Sequence, residues 1–239
     1  MIEIEPKVMI AIPTAEYARR ADFYDYFNLL EKPVGTGITF AHGQSPARNR
    51  NLMITRALEN NFTHILFLDD DTAFKGDLLT KLLAADKDII TGLYLMRNYP
   101  HHPIIFKETD ENGRCLHHFL NGLDPYEGII EIVACGLGAC LIKTDVFRAM
   151  EEPWIRLGEL EKDHWCDDIG FFRRVREHNF KIYCDLSVAV GHMTSVTVWP
   201  NMMNGQWYTT YESYGTGLVH TPQVGPQNKI KQVNLEKPA

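Results

Sequence analysis

Short apolar segments alternate with amphipathic ones between residues 7 and 94. The apolar segments are typical of buried strands, and the amphipathic segments place apolar residues three or four positions apart, as on one face of a helix. The predicted strands are residues 7–13, 37–41, 63–68 and 88–94, and the predicted helices are residues 19–30, 46–60 and 77–85. Strands that alternate with helices are typical of an α/β fold, in which helices cover both faces of a mostly parallel central sheet. The sequence therefore predicts such a fold.

The rest of the chain continues this pattern less regularly. We expect paired strands at residues 129–133 and 138–142, helices at 144–150 and 167–178, and further strands at 181–184 and 188–192. The segment after Thr194 is rich in aromatic residues, glycine and proline. We therefore predict a single domain at residues 1–193, followed by a C-terminal tail at residues 194–239.

Composition restricts the classes of function. The 24 basic and 31 acidic side chains give a net charge of −7, which argues against coating nucleic acid without regard to sequence and against a polybasic membrane anchor. Apolar runs are far shorter than the ~20 residues that cross a bilayer, and residues 1–13 lack the basic region of a signal peptide. The five cysteines form no CxxC pair, so we interpret them as reduced thiols. A cytoplasmic enzyme or binding domain is the class that remains.

Three consecutive acids, Asp69, Asp70 and Asp71, directly follow the apolar segment 63–68. They would lie at the carboxyl end of a central strand, the edge at which open α/β sheets bind ligands. Alternation along an extended chain directs Asp69 and Asp71 to one side and Asp70 to the other. Two converging carboxylates repel unless a cation or a shared proton is present. A divalent cation that carries phosphate oxygens would suit them, whereas a helix N-cap or an acidic loop is the structural alternative.

Asp167, Asp168 and His192 form a second set of candidates in the second half of the chain. The two acids open a predicted amphipathic helix, where carboxylates are favoured by the helix dipole. Adjacent acids at that position also suit a general base directed into a cleft. His192 ends a predicted apolar strand, where it is either a structural histidine or a ligand. From the residues alone, both alternatives remain open for each of these side chains.

Several segments occur in an informative order. They are IAIPT at the end of the first strand, SPARNRN at a helix start, HILFLDDDTAF with a DxD motif, the glycine-containing CGLGACLIKTDVF, the Asp-Asp pair, and KIYCDLSVAVGH. This set resembles the GT-A class of nucleotide-sugar-dependent glycosyltransferases, and in particular its family-2-like members. The resemblance covers residues 7–193, and it implies a GT-A-like, Rossmann-like central sheet.

The resemblance implies a metal site at the DxD motif. In the family, these acids hold a divalent cation that bridges the donor diphosphate. Carried over, Asp71 is a metal ligand, Asp69 contacts the ribose or the metal, and Asp70 belongs to the nucleotide-sugar site. A histidine after the last strand commonly completes the metal shell in the family, which matches His192. Mixed oxygen and imidazole ligation suits Mn²⁺, with Mg²⁺ as the alternative.

The resemblance also implies contacts to the donor. Pro13, Thr14 and Arg48 would contact the nucleotide base and ribose. Gly136 and Gly138 would let the backbone approach the donor sugar closely, although a tight turn between strands explains them as well. Trp165 would stack on a sugar face, with a place in the core as its alternative. Arg48 could equally be a charge on an exposed helix surface.

The catalytic base of the family is the second acid of a Glu-Asp pair. Asp168 matches that position, and Asp167 replaces the usual Glu, so the choice between Asp167 and Asp168 is open. The base would take the proton from the acceptor hydroxyl as that hydroxyl attacks the anomeric carbon, which gives inversion. GQWYTTY lacks the arginine of the QxxRW motif of processive relatives, so transfer of one sugar is favoured.

The resemblance therefore predicts a metal-dependent, inverting glycosyltransferase with a nucleotide-diphosphate sugar as donor, UDP favoured. The acceptor is a glycan, a protein, a small molecule or a modified nucleic-acid base, and the tail at residues 194–239 is a candidate acceptor-side lid. A sugar nucleotidyltransferase is one alternative, but IPTAEYARR lacks the glycine-rich loop usual after the first strand of that class. A non-catalytic carbohydrate-binding or scaffold protein is the other alternative. The DxD acids, the Asp-Asp pair and His192 are all present, which argues against a degenerate site.

Overall fold

The computed structural model describes residues 5–14, 21–97, 101–111, 114–118, 128–157, 167–194, 197–203, 205–213 and 217–222. The helices in these ranges are α1 (Ala21–Leu29), α2 (Pro46–Glu59), α3 (Leu78–Ala84), α4 (Thr144–Arg148) and α5 (Asp167–Glu177). The strands are β1 (Val8–Thr14), β2 (Gly37–His42), β3 (His64–Leu68), β4 (Thr72–Phe74), β5 (Ile89–Leu93), β6 (Ile105–Thr109), β7 (Cys115–His117), β8 (Ile129–Ile132), β9 (Ala134–Cys135), β10 (Ala139–Lys143), β11 (Ile182–Met193), β12 (Thr197–Met203), β13 (Gln206–Ser213) and β14 (Gly217–Pro222).

One large mixed sheet organises the chain, in the order β14-β13-β12-β11-β5-β10-β3-β1-β2. β1 is parallel to both β2 and β3, and β5 is parallel to β11. β10 lies between β3 and β5 and is antiparallel to both, and β12, β13 and β14 extend the sheet as antiparallel neighbours. The α/β class is confirmed. The sheet is mixed, not mostly parallel, because β10 and the last strands run against their neighbours.

Both faces of the sheet are covered by helices, as expected. In β1, Val8, Ile10 and Ile12 are buried in a core cluster with residues of α1 and α3. Met9 and Ala11 alternate with them and are buried in the opposite cluster with residues of α2, α4 and α5. Successive side chains of a strand point to opposite faces, so a strand that is apolar throughout is buried on both sides.

Two expectations about the second half of the chain are wrong. Residues 129–133 and 138–142 do not pair with each other: β8 pairs with β11, whereas β10 lies between β3 and β5. The two strands expected at 181–184 and 188–192 are one long strand, β11, whose register shifts between Asp185 and Ala189. This irregularity lets the first half of β11 pair with β5 and its last residues pair with β4.

The described part of the predicted tail continues the sheet. Val198 and Trp207 are buried, and Trp207 belongs to the same core cluster as α2 and α5. Trp199 packs against Tyr26, with ring centroids 6.4 Å apart. These aromatic side chains therefore contribute to packing, while Tyr214 and residues 223–239 lie outside the described residues.

Two further findings concern membrane-spanning helices and the cysteines. In the described ranges, no helix combines the length and the apolar character needed to span a membrane. Cys115, Cys135, Cys140 and Cys184 are free thiols and are buried. The fifth cysteine, Cys166, falls in a part of the chain that the structure does not describe.

Candidate functional site

The candidate site lies at one edge of the central sheet. β1, β3, β5 and β11 run in the same direction, so their carboxyl ends meet at this edge. β10 runs the opposite way and therefore brings its amino end, preceded by Gly136 and Gly138, to the same place. Open α/β sheets bind ligands at this edge. The arrangement gathers candidates that are far apart in the sequence.

Arg50 joins the acidic triplet to the start of α5. Its guanidinium donates from Nη2 to both Oδ1 and Oδ2 of Asp69, at 2.8 and 3.2 Å, and from Nη1 to Oδ1 of Asp168 at 3.0 Å. The second oxygen of Asp168 accepts the backbone N–H of Leu137 at 3.1 Å. Arg50 itself is 5% exposed. The buried guanidinium of Arg50 thus holds Asp69, the first acid of the triplet, and Asp168, the predicted base, in fixed positions.

Burial and these neighbours shift the pKa values of the site. Burial raises the pKa of the Asp168 carboxyl, Arg50 opposes that rise, and the nearby charge of Asp69 adds to it. Burial alone would lower the pKa of the Arg50 guanidinium, but Asp69 and Asp168 raise it above its ordinary value. Burial, Asp69 and Asp168 raise the pKa of Tyr94, which therefore stays a neutral phenol. Raised pKa values of this kind are frequent at functional sites.

Asp71 lies between two basic groups. Its Oδ2 contacts Nη1 of Arg97 at 2.8 Å, and its Oδ1 lies 3.8 Å from Nε2 of His192. β11 pairs with β4 so that His192 is opposite Thr72, the residue after Asp71. Nδ1 of His192 is 2.8 Å from the carbonyl oxygen of Leu95. A carbonyl can only accept, so Nδ1 of His192 donates to Leu95, and Nε2 is the ring nitrogen nearer Asp71.

The three predicted metal ligands are Asp69, Asp71 and His192. In the described ranges, no group of three or more His, Cys, Asp or Glu side chains could hold a metal ion, so Asp69, Asp71 and His192 do not form a three-ligand site. The carboxylate of Asp69 is paired with Arg50, and that of Asp71 is paired with Arg97. A histidine whose Nδ1–H is held by a carbonyl leaves Nε2 available as a ligand, and this nitrogen of His192 lies 3.8 Å from Oδ1 of Asp71.

The remaining donor-side candidates have other contacts. Pro13 and Thr14 are buried at the end of β1, and the Thr14 hydroxyl donates to Oδ2 of Asp70 at 2.8 Å. Arg48 is exposed in the first turn of α2, where its backbone N–H donates to Oγ of the N-cap residue Ser45. Trp165 lies outside the described residues.

Gly136 and Gly138 make room for Tyr94. A Cβ at position 136 would overlap the Tyr94 hydroxyl, and a Cβ at 138 would lie 3.2 Å from both that hydroxyl and Oδ2 of Asp69. The Tyr94 hydroxyl accepts the backbone N–H of Gly138 at 3.1 Å, and the Gly138 carbonyl accepts the N–H of Asp69 at 2.9 Å. The glycines are therefore required for the packing of the site itself.

Sequence reasoning missed Arg50, Tyr94 and Arg97. A signal for Arg50 was present: Ala47, Arg50 and Ile54 are spaced three and four apart, on the buried face of α2. Residues two apart on a helix point in nearly opposite directions, so an exposed Arg48 implies an inward Arg50. Tyr94 directly follows β5 and Arg97 lies three residues further on. The carboxyl end of β5 lies at the same edge of the sheet as that of β3.

Comparison with known proteins adds evidence on the fold. No protein-family model and no curated protein matches the chain. Among solved structures, it is similar to A197 from STIV, with 15% sequence identity, a TM-score of 0.56, and coverage of 97% of this chain and 100% of that one. The chain shares its fold with A197. It also matches S. aureus TarS 1–349 with 12% identity and a TM-score of 0.41, over 75% of this chain and 57% of TarS. The TM-score of this second match is too low to support an argument about the fold.

Proposed function

We propose that this protein is a glycosyltransferase that moves one sugar from a nucleotide-diphosphate sugar to an acceptor hydroxyl. The observation that carries the proposal is the bridge from Asp69 through Arg50 to Asp168. It holds the first acid of a DxD motif and a candidate general base against one another at the ligand-binding edge of an α/β sheet. The ordered sequence resemblance to family-2-like GT-A enzymes supports the same conclusion.

Asp168 is the proposed base. It would take the proton of the acceptor hydroxyl on a carboxylate oxygen while that hydroxyl attacks the anomeric carbon, with inversion. Burial raises the pKa of Asp168, which makes its carboxylate a better proton acceptor, and the fixed charge of Arg50 limits that rise. Asp167, one residue earlier at the start of α5, is the alternative base.

Asp71 and His192 are the proposed protein ligands of a divalent cation, Mn²⁺ or Mg²⁺. An oxygen and an imidazole nitrogen from the protein leave the other positions for phosphate oxygens and water, which is how such cations bind nucleotides. When bound, the cation would neutralise charge on the departing nucleoside diphosphate. Asp69 is proposed to contact the ribose, because Arg50 already neutralises its carboxylate.

UDP is the favoured nucleotide, and the other predicted donor contacts are retained as proposals. They are Pro13, Thr14, Arg48, Asp70, Gly136, Gly138 and Trp165. Thr14 and Asp70 are bonded to each other, so they would act as a pair. The acceptor class stays open among glycans, proteins, small molecules and modified bases. The strands after Thr194 are proposed to form the acceptor side, with Trp199 and Trp207 serving the packing of that region.

Nucleotide binding tests the proposal. Thermal unfolding would be followed with UDP, GDP, CMP, ADP and TDP, each with and without Mn²⁺, because a ligand that binds only the folded state raises its Tm. We expect one nucleoside diphosphate to stabilise the protein only when Mn²⁺ is present. No stabilisation by any nucleotide would favour the non-catalytic carbohydrate-binding or scaffold alternative. Pyrophosphate release from a nucleoside triphosphate and a sugar phosphate would favour the nucleotidyltransferase alternative.

A further inference from the structure

The segment that follows β5 contacts the candidate site at successive residues. The Tyr94 hydroxyl accepts the N–H of Gly138, and the Leu95 carbonyl lies 2.8 Å from Nδ1 of His192. Arg97 then pairs with Asp71. The segment is held in place, since Leu95 forms a β-bridge with Pro103 and the N–H of Met96 donates to the carbonyl of His102 at 2.8 Å. The backbone that carries Arg97 is therefore fixed at the sheet edge.

The two arginines of the site differ in their freedom to move. The Arg50 side chain is 6% exposed and binds two carboxylates, whereas the Arg97 side chain is 50% exposed. An ion pair that is partly exposed, as Arg97 and Asp71 are at 50% and 20%, contributes little to stability because solvent screens it. Arg97 can therefore leave Asp71 at small cost, while Arg50 cannot leave its partners.

Arg97 contacts the carboxylate that is proposed to bind the metal. The guanidinium lies on Oδ2 of Asp71, and Nε2 of His192 lies 3.8 Å from Oδ1 of the same group. A divalent cation held by Asp71 and His192 would be close to the positive charge of Arg97 and would repel it. The guanidinium and the divalent cation therefore compete for one carboxylate.

We infer that Arg97 is an exchangeable counter-ion: it neutralises Asp71 before a cation binds, and it moves from Asp71 to the phosphates of the incoming nucleoside diphosphate when the cation arrives. A guanidinium matches phosphate as well as carboxylate, through paired N–H donors. The exchange keeps the Asp71 carboxylate, which is 20% exposed, beside a positive charge at every stage. This inference rests on the proposed function, because it takes Asp71 and His192 as the cation ligands.

Mn²⁺ binding without nucleotide tests whether Arg97 and the cation compete for Asp71. Free Mn²⁺ would be followed by electron paramagnetic resonance during titration of the full-length protein, Arg97→Gln and Arg97→Lys. We expect Arg97→Gln to bind Mn²⁺ roughly three- to fivefold more tightly, the scale of a partly exposed ion pair, and Arg97→Lys to resemble the parent. Arg148→Gln is the control, because it removes an Arg–Asp pair on α4 whose arginine is similarly exposed, and it should leave Mn²⁺ affinity unchanged.

UDP binding at saturating Mn²⁺, measured by calorimetry, tests whether Arg97 then binds the phosphates. Arg97→Gln should weaken UDP binding about tenfold, the scale of a lost charge-assisted hydrogen bond, and should leave uridine binding unchanged. Equal Mn²⁺ affinity in the parent and Arg97→Gln overturns the inference while the proposed function stands. Tighter Mn²⁺ binding with unchanged UDP affinity overturns the transfer to phosphate. If neither protein binds Mn²⁺ at millimolar concentration, the metal site of the proposed function fails as well.

Discussion

Arg50 and Asp168 are 118 residues apart in the sequence and are joined by a hydrogen bond of 3.0 Å from Nη1 to Oδ1. The same guanidinium binds Asp69, so the start of α5 cannot move relative to the end of β3 without breaking a buried ion pair. This bridge links the part of the site that would bind the donor to the group that would activate the acceptor. It makes the position and the charge of Asp168 depend on Arg50.

Arg50→Lys should shift the pH dependence of transfer. Lysine keeps a positive charge but cannot bind two carboxylates as a planar fork, so Asp168 loses part of the interaction that lowers its pKa. A base is active when ionised, and the acid limb of the pH–rate profile should therefore move to higher pH. Initial rates between pH 5 and 9 would show this, and an unshifted profile with an intact fold would show that Arg50 has only a structural role.

Asp168→Asn should remove transfer while keeping nucleotide binding. A general base contributes roughly 10²- to 10⁴-fold to the rate, so kcat should fall by about that factor, and Mn²⁺-dependent stabilisation by UDP should persist. Asp167→Asn is the matched control on the same turn of α5. If the control loses transfer and Asp168→Asn keeps it, Asp167 is the base.

Ionisation of Asp168 should lower the stability of the folded protein as the pH rises. A carboxyl whose pKa is raised on folding stabilises the fold at low pH, and this contribution is lost as the pH rises through the raised pKa. The stability of Asp168→Asn relative to the parent should therefore increase from pH 4 to pH 7, as measured by chemical denaturation.

Asp86→Asn provides a comparison of opposite sign for that experiment. The hydrogen bond and the charge of Lys143 lower the pKa of Asp86, so its carboxylate stabilises the fold above its unfolded pKa. The stability of Asp86→Asn relative to the parent should fall over the same pH interval. Asparagine tolerates the positive φ of 45° at this position, which leaves the charge as the main change. The same trend in both variants would contradict the assignment for Asp168.

Much of the architecture could be predicted because its signals are local. The strands that became β1, β2, β3 and β5 are short apolar segments separated by amphipathic helices, and they occur within a few residues of the expected positions. The place of β10 could not be predicted, because its insertion between β3 and β5 depends on tertiary pairing. The continuity of β11 was missed for a similar reason: an irregularity within a strand resembles a break in the sequence.

The site shows the same division between local and tertiary information. The family resemblance predicted that Asp71 and His192 lie close together, and Nε2 of His192 lies 3.8 Å from Oδ1 of Asp71. Arg50 was missed because a charged residue on an apolar helix face has meaning only once its partners are known. Asp69 was expected to contact the ribose or a metal, and its interaction with Arg50 could not be inferred from the triplet alone.

Gly136→Ala should destabilise the site through Tyr94. The added Cβ would overlap the Tyr94 hydroxyl and lie 3.0 Å from Cγ2 of Ile104, and overpacking of this kind costs about 1–3 kcal/mol. Tyr94→Phe removes the obstructing hydroxyl and leaves the N–H of Gly138 without its acceptor, at a cost of about 1–3 kcal/mol. In the double variant, Gly136→Ala should cost less than it does alone. Denaturant unfolding of the four proteins in this cycle measures the coupling, and strictly additive losses would show that Tyr94 is not what requires glycine at position 136.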